Sequence, residues 1–232
     1  MTSSSTQAVS ETSVLRLWLG GPLQSWGTAS RFEVRATELA PSKSGVIGLL
    51  CAALGRPRDR PVDDLAALRF GVCVERSGSV LRDFHTVGAG TGRLIAASGA
   101  KRDGIVTQRY YLEDAAFVVG LEGDDEAFAR ELLAAVRAPR WLLALGRRSC
   151  PPAGPIVDQH AIFSGSLEDA LADGWRPAGV PPEYKPTERV ALLLEDEQGA
   201  VVLNDQPAGR AFEERTFRPR RVRSLTIDRP GA

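Results

Sequence analysis

The alternation of apolar and polar residues predicts a chain of mixed strands and helices. A first strand is predicted at residues 14–19, where apolar side chains recur at every second position before a Gly-Gly-Pro sequence. Ser42 can cap a helix over residues 43–54, and Gly55 can end it in a left-handed conformation. The elements predicted after it are strands at 68–75 and 80–87, a strand at 110–121, a helix at 124–136 and a strand at 141–145.

The order of these elements predicts the fold class. Without the glycine-rich stretch at residues 88–104, it is β-α-β-β-α-β, the ferredoxin-like or RRM-like arrangement of an α+β protein. We assign this core to residues 13–146. Residues 147–232 are rich in proline and predict a smaller β-rich C-terminal part, with a helix at 167–172 and strands at 190–194, 200–203 and 222–227.

The first 12 residues predict a disordered leader, because they lack both the basic and the apolar region of a secretory signal. No apolar run reaches the roughly 20 residues that span a bilayer, so we expect a cytoplasmic protein without a membrane partner. The three cysteines lie far apart and show no CxxC spacing. We therefore expect no disulfide framework, no bound metal and no cofactor.

The charge is balanced overall but unevenly distributed. Lys and Arg total 29, as do Asp and Glu, and only three of the cations are lysine. Residues 137–148 contain four arginines and no acid, and residues 76–109 and 210–223 are also enriched in cations. Segregated charge can give a neutral protein a basic face that binds a polyanion, although arginine codons in a GC-rich genome explain the arginine content equally well.

The densest candidate for a binding site runs from residue 20 to residue 55. A glycine-flanked polar loop leads into a helix that begins Ser-Lys-Ser-Gly, and helix N–H groups there can bind an anion. Aromatic rings and arginines in the loop could hold bases and phosphates, although Trp26 could equally pack in the core. The glycines of the P-loop motif GxxxxGK[ST] are absent around Lys43, which argues against NTP hydrolysis.

Catalysis finds little support in the residues. His85 and His160 are the only histidines. Asp83 and His85 share one face of a predicted strand, where the carboxylate could tune a general base or play a structural part. Arg109 and Tyr111 are predicted to share a strand face.

Several long segments together resemble one family. They are GPLQSWGTASRFEVRAT at residues 21–37, PSKSGVIGLLCAALGR at 41–56, DFHTVGAG at 83–90, TQRYYLEDAAFVV at 107–119 and GRRSCPP at 146–152. In order and spacing they resemble the CasD subunit family of type I-E CRISPR Cascade, the E-subtype branch of the fifth Cas protein family. The resemblance covers residues 14–227.

The resemblance implies a non-catalytic subunit that caps the 5′ handle of the CRISPR RNA and contacts the backbone and large subunits of an antiviral Cascade complex. It also implies a thumb at about residues 78–109 on the ferredoxin-like core. The RNA-binding residues that it implies are Gln24, Ser25, Trp26, Gly27, Arg31, Arg35, Lys43, Ser44, Arg109, Arg147 and Arg148. Two alternatives remain open: a metal-independent endoribonuclease that uses His85, and a scaffold that contacts only proteins.

Overall fold

The computed structural model describes residues 12–28, 33–88, 90, 94–95, 99–185, 187–208 and 216–229. The strands are β1 (Ser13–Gly20), β2 (Leu23–Gln24), β3 (Val34–Arg35), β4 (Arg69–Arg76), β5 (Ser79–Val87), β6 (Leu94–Ile95), β7 (Lys101–Arg102), β8 (Ile105–Glu113), β9 (Ala116–Gly123), β10 (Ile162–Ser164), β11 (Arg189–Glu195), β12 (Val201–Ala208) and β13 (Thr216–Asp228). The helices are α1 (Lys43–Leu54), α2 (Asp63–Ala67), α3 (Glu126–Arg137) and α4 (Leu167–Ala172).

An antiparallel seven-stranded sheet, in the order β10-β1-β9-β4-β11-β13-β12, forms the centre of the molecule. The side chains of β1 point alternately into two apolar layers, because successive residues of a strand point to opposite faces of a sheet. Leu15 and Leu17 pack in the layer that contains α1 and α3, whereas Val14 and Trp18 pack in the layer that contains α4. The chain therefore has the mixed α+β architecture that the pattern predicted.

A second sheet is built around β8. Strand β5 pairs with one edge of β8 along its whole length, and the short strands β2 and β3 pair with the other edge. The β5–β8 pair is a long hairpin outside the central sheet. The short strands β6 and β7, which lie between β5 and β8 in the sequence, pair with each other.

Helix α1 has the predicted bounds and the predicted caps. The Ser42 side chain accepts a hydrogen bond from the Gly45 N–H, and Gly55 ends the helix with a φ of 68°. The Gly55 N–H also donates to the Ala52 carbonyl. The two hydrogen bonds satisfy backbone groups that an uncapped helix would leave unpaired.

The single strand predicted at residues 110–121 is wrong. The structure divides it into β8 and β9, which belong to different sheets, at a turn where Asp114 adopts a φ of 54°. Both strands are apolar on their buried sides, so the pattern continues across the turn.

The strand predicted at residues 141–145 is also wrong. The N–H groups of Arg140 and Trp141 donate to the carbonyls of Ala53 and Ala52, so this segment caps the C-terminal end of α1 instead of joining the sheet. The sheet position beside β1 is taken by β10.

The C-terminal strands extend the same central sheet, because β11 pairs with β4 on one side and with β13 on the other. The division of the chain at residue 146 stays a prediction. Among the described helices, none is long and apolar enough to span a membrane.

Candidate nucleic-acid interface

A cavity of about 230 Å³ lies beside the start of α1. Strand β3 and the turn at residues 146–147 each contribute an arginine to its wall, and no acidic residue is among the described residues that line it. Guanidinium groups beside small polar groups suit a phosphate-bearing ligand. The lining residues are Ser25, Trp26, Gly27, Arg35, Ser42, Gly45, Gly146 and Arg147.

Gln24 supports the cavity from within the core and does not face a ligand. Its Nε2 atom donates to the carbonyls of Leu19 and Ala115 at 3.0 and 2.7 Å, and its Oε1 atom accepts from the Trp26 ring at 3.0 Å. The side chain is fully buried and its polar atoms are engaged. The prediction that Gln24 contacts a ligand is therefore corrected: this amide holds the loop in place.

Trp26 is a core residue whose ring reaches the cavity wall. It is 1% exposed, so its faces are not free for stacking on an unpaired base as the sequence suggested. Its backbone N–H donates to the Thr37 hydroxyl at 2.8 Å, which closes the polar loop on itself. The ring packs on the first turn of α1, where a Cβ at Gly45 would lie 2.8 Å from it. Glycine at that position is what allows the close approach.

A tight turn brings Gly146 against the loop after β1. The Ser25 N–H donates to the Leu145 carbonyl at 3.0 Å. Gly146 adopts a φ of 87°, and a Cβ there would lie 1.8 Å from the Ser25 carbonyl oxygen. Only glycine satisfies both the backbone conformation and the space. The turn then delivers the next residue, Arg147, to the cavity.

Arg147 braces two strands at the cavity wall. Its guanidinium donates to the carbonyls of Tyr110 at 3.1 Å and Arg35 at 2.7 Å. The same group lies 4.9 Å from the centroid of the Tyr111 ring, within the range of a cation–π contact. Arg147 therefore both shapes the wall and carries positive charge into it.

Arg35 and Arg109 lie side by side on neighbouring strands. Strand β3 runs parallel to β8 with Arg35 opposite Arg109, and β5 places Asp83 opposite Arg109 on the other edge. The three side chains form a row on one face of the sheet, because paired residues point to the same side. Arg35 is exposed, whereas Arg109 is half-buried and its Nε lies 3.4 Å from the Thr107 hydroxyl.

Lys43 does not line the cavity, which corrects its predicted role. Its side chain is 1% exposed, and Nζ donates to the Glu195 carboxylate at 2.9 Å. Burial lowers the pKa of Lys43 below its ordinary value, and the negative charge of Glu195 only partly offsets this effect. The residue ties the start of α1 to β11.

The start of α1 is not a vacant anion site either. Asp205 on β12 accepts the Lys43 backbone N–H at 2.7 Å and forms a bidentate ion pair with Arg220 at 2.6 and 2.9 Å. This internal carboxylate occupies the position near the positive end of the helix where an external anion was expected. Ser44, half-buried on the same turn, is not among the cavity-lining residues.

The remaining predicted residues have varied positions. Ser25 is buried, with its hydroxyl 3.3 Å from the Tyr110 carbonyl, and Gly27 is exposed at the cavity rim. Arg148 is exposed on the turn next to the cavity, with no ion-pair partner within the described ranges. Arg31 lies outside the described residues, as does Phe32.

His85 and Asp83 share one face of β5, as predicted, and the His85 Nε2 atom contacts the Asp83 carboxylate. The pair lies on the β5–β8 hairpin, on the same face as Arg109. No group of three or more metal-ligating side chains occurs in the part of the chain that the structure describes.

Three residues that the site uses had no predicted role in it: Gly146 and Gly45 provide close approaches, and Asp205 holds the helix start. Ser42, which was predicted at the helix start, also lines the cavity. The glycine before Arg147 was a visible signal. Asp205 had none, because its contact with Lys43 joins residues 162 positions apart.

The fold is that of an α+β protein, and two arginines and no acidic residue are among the described residues that line its cavity. Residues 14–223 match the family described as CRISPR-associated protein (Cas_Cas5). The chain belongs to this Cas5 family.

Similar proteins agree in sequence and in fold. The CRISPR system Cascade subunit CasD of Escherichia coli K12 is 42% identical over 171 residues, which cover 67% of this chain and 72% of that protein. A crystal structure of a Cas protein superimposes with a TM-score of 0.71 at 40% identity, over 93% of this chain and 95% of the other. A chain described as part of a CRISPR RNA-guided surveillance complex gives a TM-score of 0.72 at 34% identity, over 94% and 91%.

Proposed function

We propose that this chain is a non-catalytic subunit of a type I-E Cascade complex that binds the 5′ handle of the CRISPR RNA. The observation that carries the proposal is the cavity, where Arg35 and Arg147 converge without an acidic lining residue in a member of the Cas5 family. The 42% identity to a Cascade subunit supports assembly with other Cascade subunits, among them the backbone and large subunits. A cytoplasmic location follows from this proposal.

The core of the chain is ferredoxin-like in this proposal. The first four strands of the central sheet follow the order β10-β1-β9-β4, with α1 after β1 and α3 after β9. This is the antiparallel order of a β-α-β-β-α-β unit whose fourth strand is β10. The β5–β8 hairpin is the thumb inserted between its second and third strands, and residues 147–232 also supply the strands beyond β4.

The RNA contacts come from the cavity and the adjoining sheet face. Arg35, Arg109 and Arg148 contact phosphates, and Arg147 does so while bracing the wall. Gly27, at the exposed cavity rim, lets the RNA backbone approach closely, and Ser44 belongs to the set by its motif position. The buried residues Gln24, Ser25, Trp26 and Lys43 support these groups from behind. Arg31 completes the set by its motif position. No metal takes part in such contacts, since they are hydrogen bonds and ion pairs.

Two other functions remain as outcomes of an experiment. The His85–Asp83 pair on the hairpin would serve an endoribonuclease that cleaves precursor RNA without a metal. A protein-only scaffold would use the same surfaces without retaining RNA.

The test incubates the purified chain with labelled precursor and mature CRISPR RNA, and with a mature RNA that lacks the handle. Native gels report binding and denaturing gels report cleavage. We expect a shift that requires the handle and no new fragments. Fragments that disappear with His85→Ala would instead identify a ribonuclease, and an absence of both shift and fragments would favour the scaffold.

Single variants locate the binding site. Arg35→Ala should weaken handle binding by about 1–3 kcal/mol if it makes one charge-assisted hydrogen bond. Arg189→Ala is the matched control, because Arg189 is an exposed arginine on β11 outside the cavity. Equal loss in both variants would refute the site assignment.

A further inference from the structure

Two adjacent apolar side chains project from the segment that connects α3 to the cavity. Leu142 is 96% exposed, and Trp141 is 47% exposed. A single exposed leucine on a protein surface is ordinary, but this leucine directly follows a half-exposed tryptophan in the chain, and the pair is called the apolar step. Neither residue contributes to the described cavity lining.

The backbone beneath this step is held in place. The N–H groups of Arg140 and Trp141 donate to the carbonyls of Ala53 and Ala52 at 2.9 and 3.1 Å. The Arg140 stem crosses directly over Gly55, where a Cβ would lie 2.0 Å from its Cδ. A surface that is already ordered loses little conformational entropy when a partner binds.

The segment of chain that carries the step is positively charged. Residues 137–148 contain four arginines and no acid. Arg137 and Arg140 are exposed, and within the described ranges neither has an ion-pair partner. The neighbouring Arg56 is already neutralised by Asp64, with contacts of 2.5 and 2.7 Å.

We propose that Arg140, Trp141 and Leu142, named here the 140–142 step, dock another protein subunit of the same ribonucleoprotein complex. The fitting partner has an apolar pocket for Leu142 and Trp141 and carboxylates at its rim that face Arg137 and Arg140. Tryptophan and arginine are also the residue types that most often dominate binding energy in protein interfaces.

A protein partner fits the step better than an RNA strand does. Stacking on bases uses flat rings, whereas Leu142, the most exposed member of the pair, offers only aliphatic surface. The inference rests on the proposed membership in a complex but is independent of the cavity.

The first test maps the contact directly. The photoreactive residue benzoylphenylalanine replaces Leu142 in the full chain, and the complex is isolated from cells that produce all its subunits and is then irradiated. Val202 is the matched control position, a 50% exposed apolar residue on β12. We expect crosslinks from position 142 to an Asp- or Glu-containing peptide of another subunit. Crosslinks to RNA, to a second copy of this chain, or no more than at position 202 would overturn the proposal.

The second test measures the energetic weight of the step. Leu142→Glu should reduce incorporation into the complex on the order of 30-fold or more, as expected for a central interface residue. Thermal unfolding and handle binding by the purified variant should match the wild type, because the side chain contacts solvent. Val202→Glu should incorporate normally.

The outcomes separate the two proposals. Normal incorporation of Leu142→Glu refutes the 140–142 step while leaving the proposed function in place. A wild-type chain that joins no complex refutes the proposed function and this surface with it.

Discussion

Asp205 offers the sharpest test of how the C-terminal strands support the start of α1. Both of its carboxylate oxygens face only donors: Oδ1 accepts from Arg220 Nε, and Oδ2 accepts from Arg220 Nη2 and the Lys43 N–H. Asp205→Asn must therefore turn its amide NH₂ group toward another donor. It also leaves the Arg220 charge buried without its counter-ion.

The expected magnitude follows from burial. The side chains of Asp205 and Arg220 are 1% and 6% exposed, so water cannot replace the lost contacts. Removing one partner of such a pair costs about 3–5 kcal/mol. Because domains of this size are stable by only about 5–15 kcal/mol, the variant should lose a large part of its free energy of unfolding.

Denaturant unfolding at neutral pH measures this loss. Asp228→Asn is the matched control, since Asp228 forms a long, exposed ion pair with Arg189 at 3.8 Å and should change stability very little. The double variant Asp205→Leu with Arg220→Met should recover much of the loss, because it removes both charges together. A single variant within about 1 kcal/mol of the wild type would refute the reasoning.

Three further predictions concern Gly146, the cysteines and the Lys43 side chain. Gly146→Ala should lower both the free energy of unfolding and the handle affinity, because its Cβ would collide with Ser25. Gly90→Ala, at a similar positive φ in open space, should show only backbone strain of about 1–3 kcal/mol. Equal effects of the two variants in the unfolding and binding assays would contradict this. The three cysteines should resist thiol reagents at mildly alkaline pH in the folded protein and react after unfolding, because all are buried and burial raises the pKa of Cys51 to about 11; one fast-reacting thiol in the folded chain would contradict it. Lys43 has a lower pKa in the folded state than its ordinary 10.5, so the unfolded state binds more protons in the interval between the two values. Its contribution to the free energy of unfolding should therefore rise with pH through that interval, and Lys43→Met, measured alongside, should lack this rise; parallel pH profiles would contradict the assignment.

Local signals predicted the elements whose structure depends on neighbours in sequence. Helix α1 was predicted to the residue, because Ser42 and Gly55 cap it within one turn of each end. Helix α4, at Leu167–Ala172, was also predicted with its observed bounds. In both cases the side chain of a preceding serine accepts a hydrogen bond from the first helical turn.

Elements decided by distant partners were not predictable in the same way. The apolar run at 141–145 has the composition of a strand, but Arg140 and Trp141 bond to the end of α1. The run at 110–121 continues through a turn at Asp114 that its pattern does not mark. Such choices depend on which backbone groups are left unpaired elsewhere in the fold.

The candidate site shows the same division. The family resemblance assigned Arg35, Arg109 and Arg147 to one site, and the strand register and the contacts of Arg147 place the three residues close together. The resemblance could not distinguish a side chain that faces a ligand from one that supports the site. Lys43 and Gln24 belong to the same motifs, yet both are buried and bonded to other parts of the chain.

The central claim, that the RNA handle binds at the cavity, is tested most directly by the salt dependence of handle affinity. The dissociation constant for a labelled handle RNA is measured over a range of salt concentrations for the wild type, Arg35→Ala and Arg189→Ala. Each phosphate contact on a single strand contributes about 0.7 to the slope of log affinity against log salt. The account predicts a slope shallower by about 0.7 for Arg35→Ala and an unchanged slope for Arg189→Ala. A wild-type slope in Arg35→Ala would contradict it.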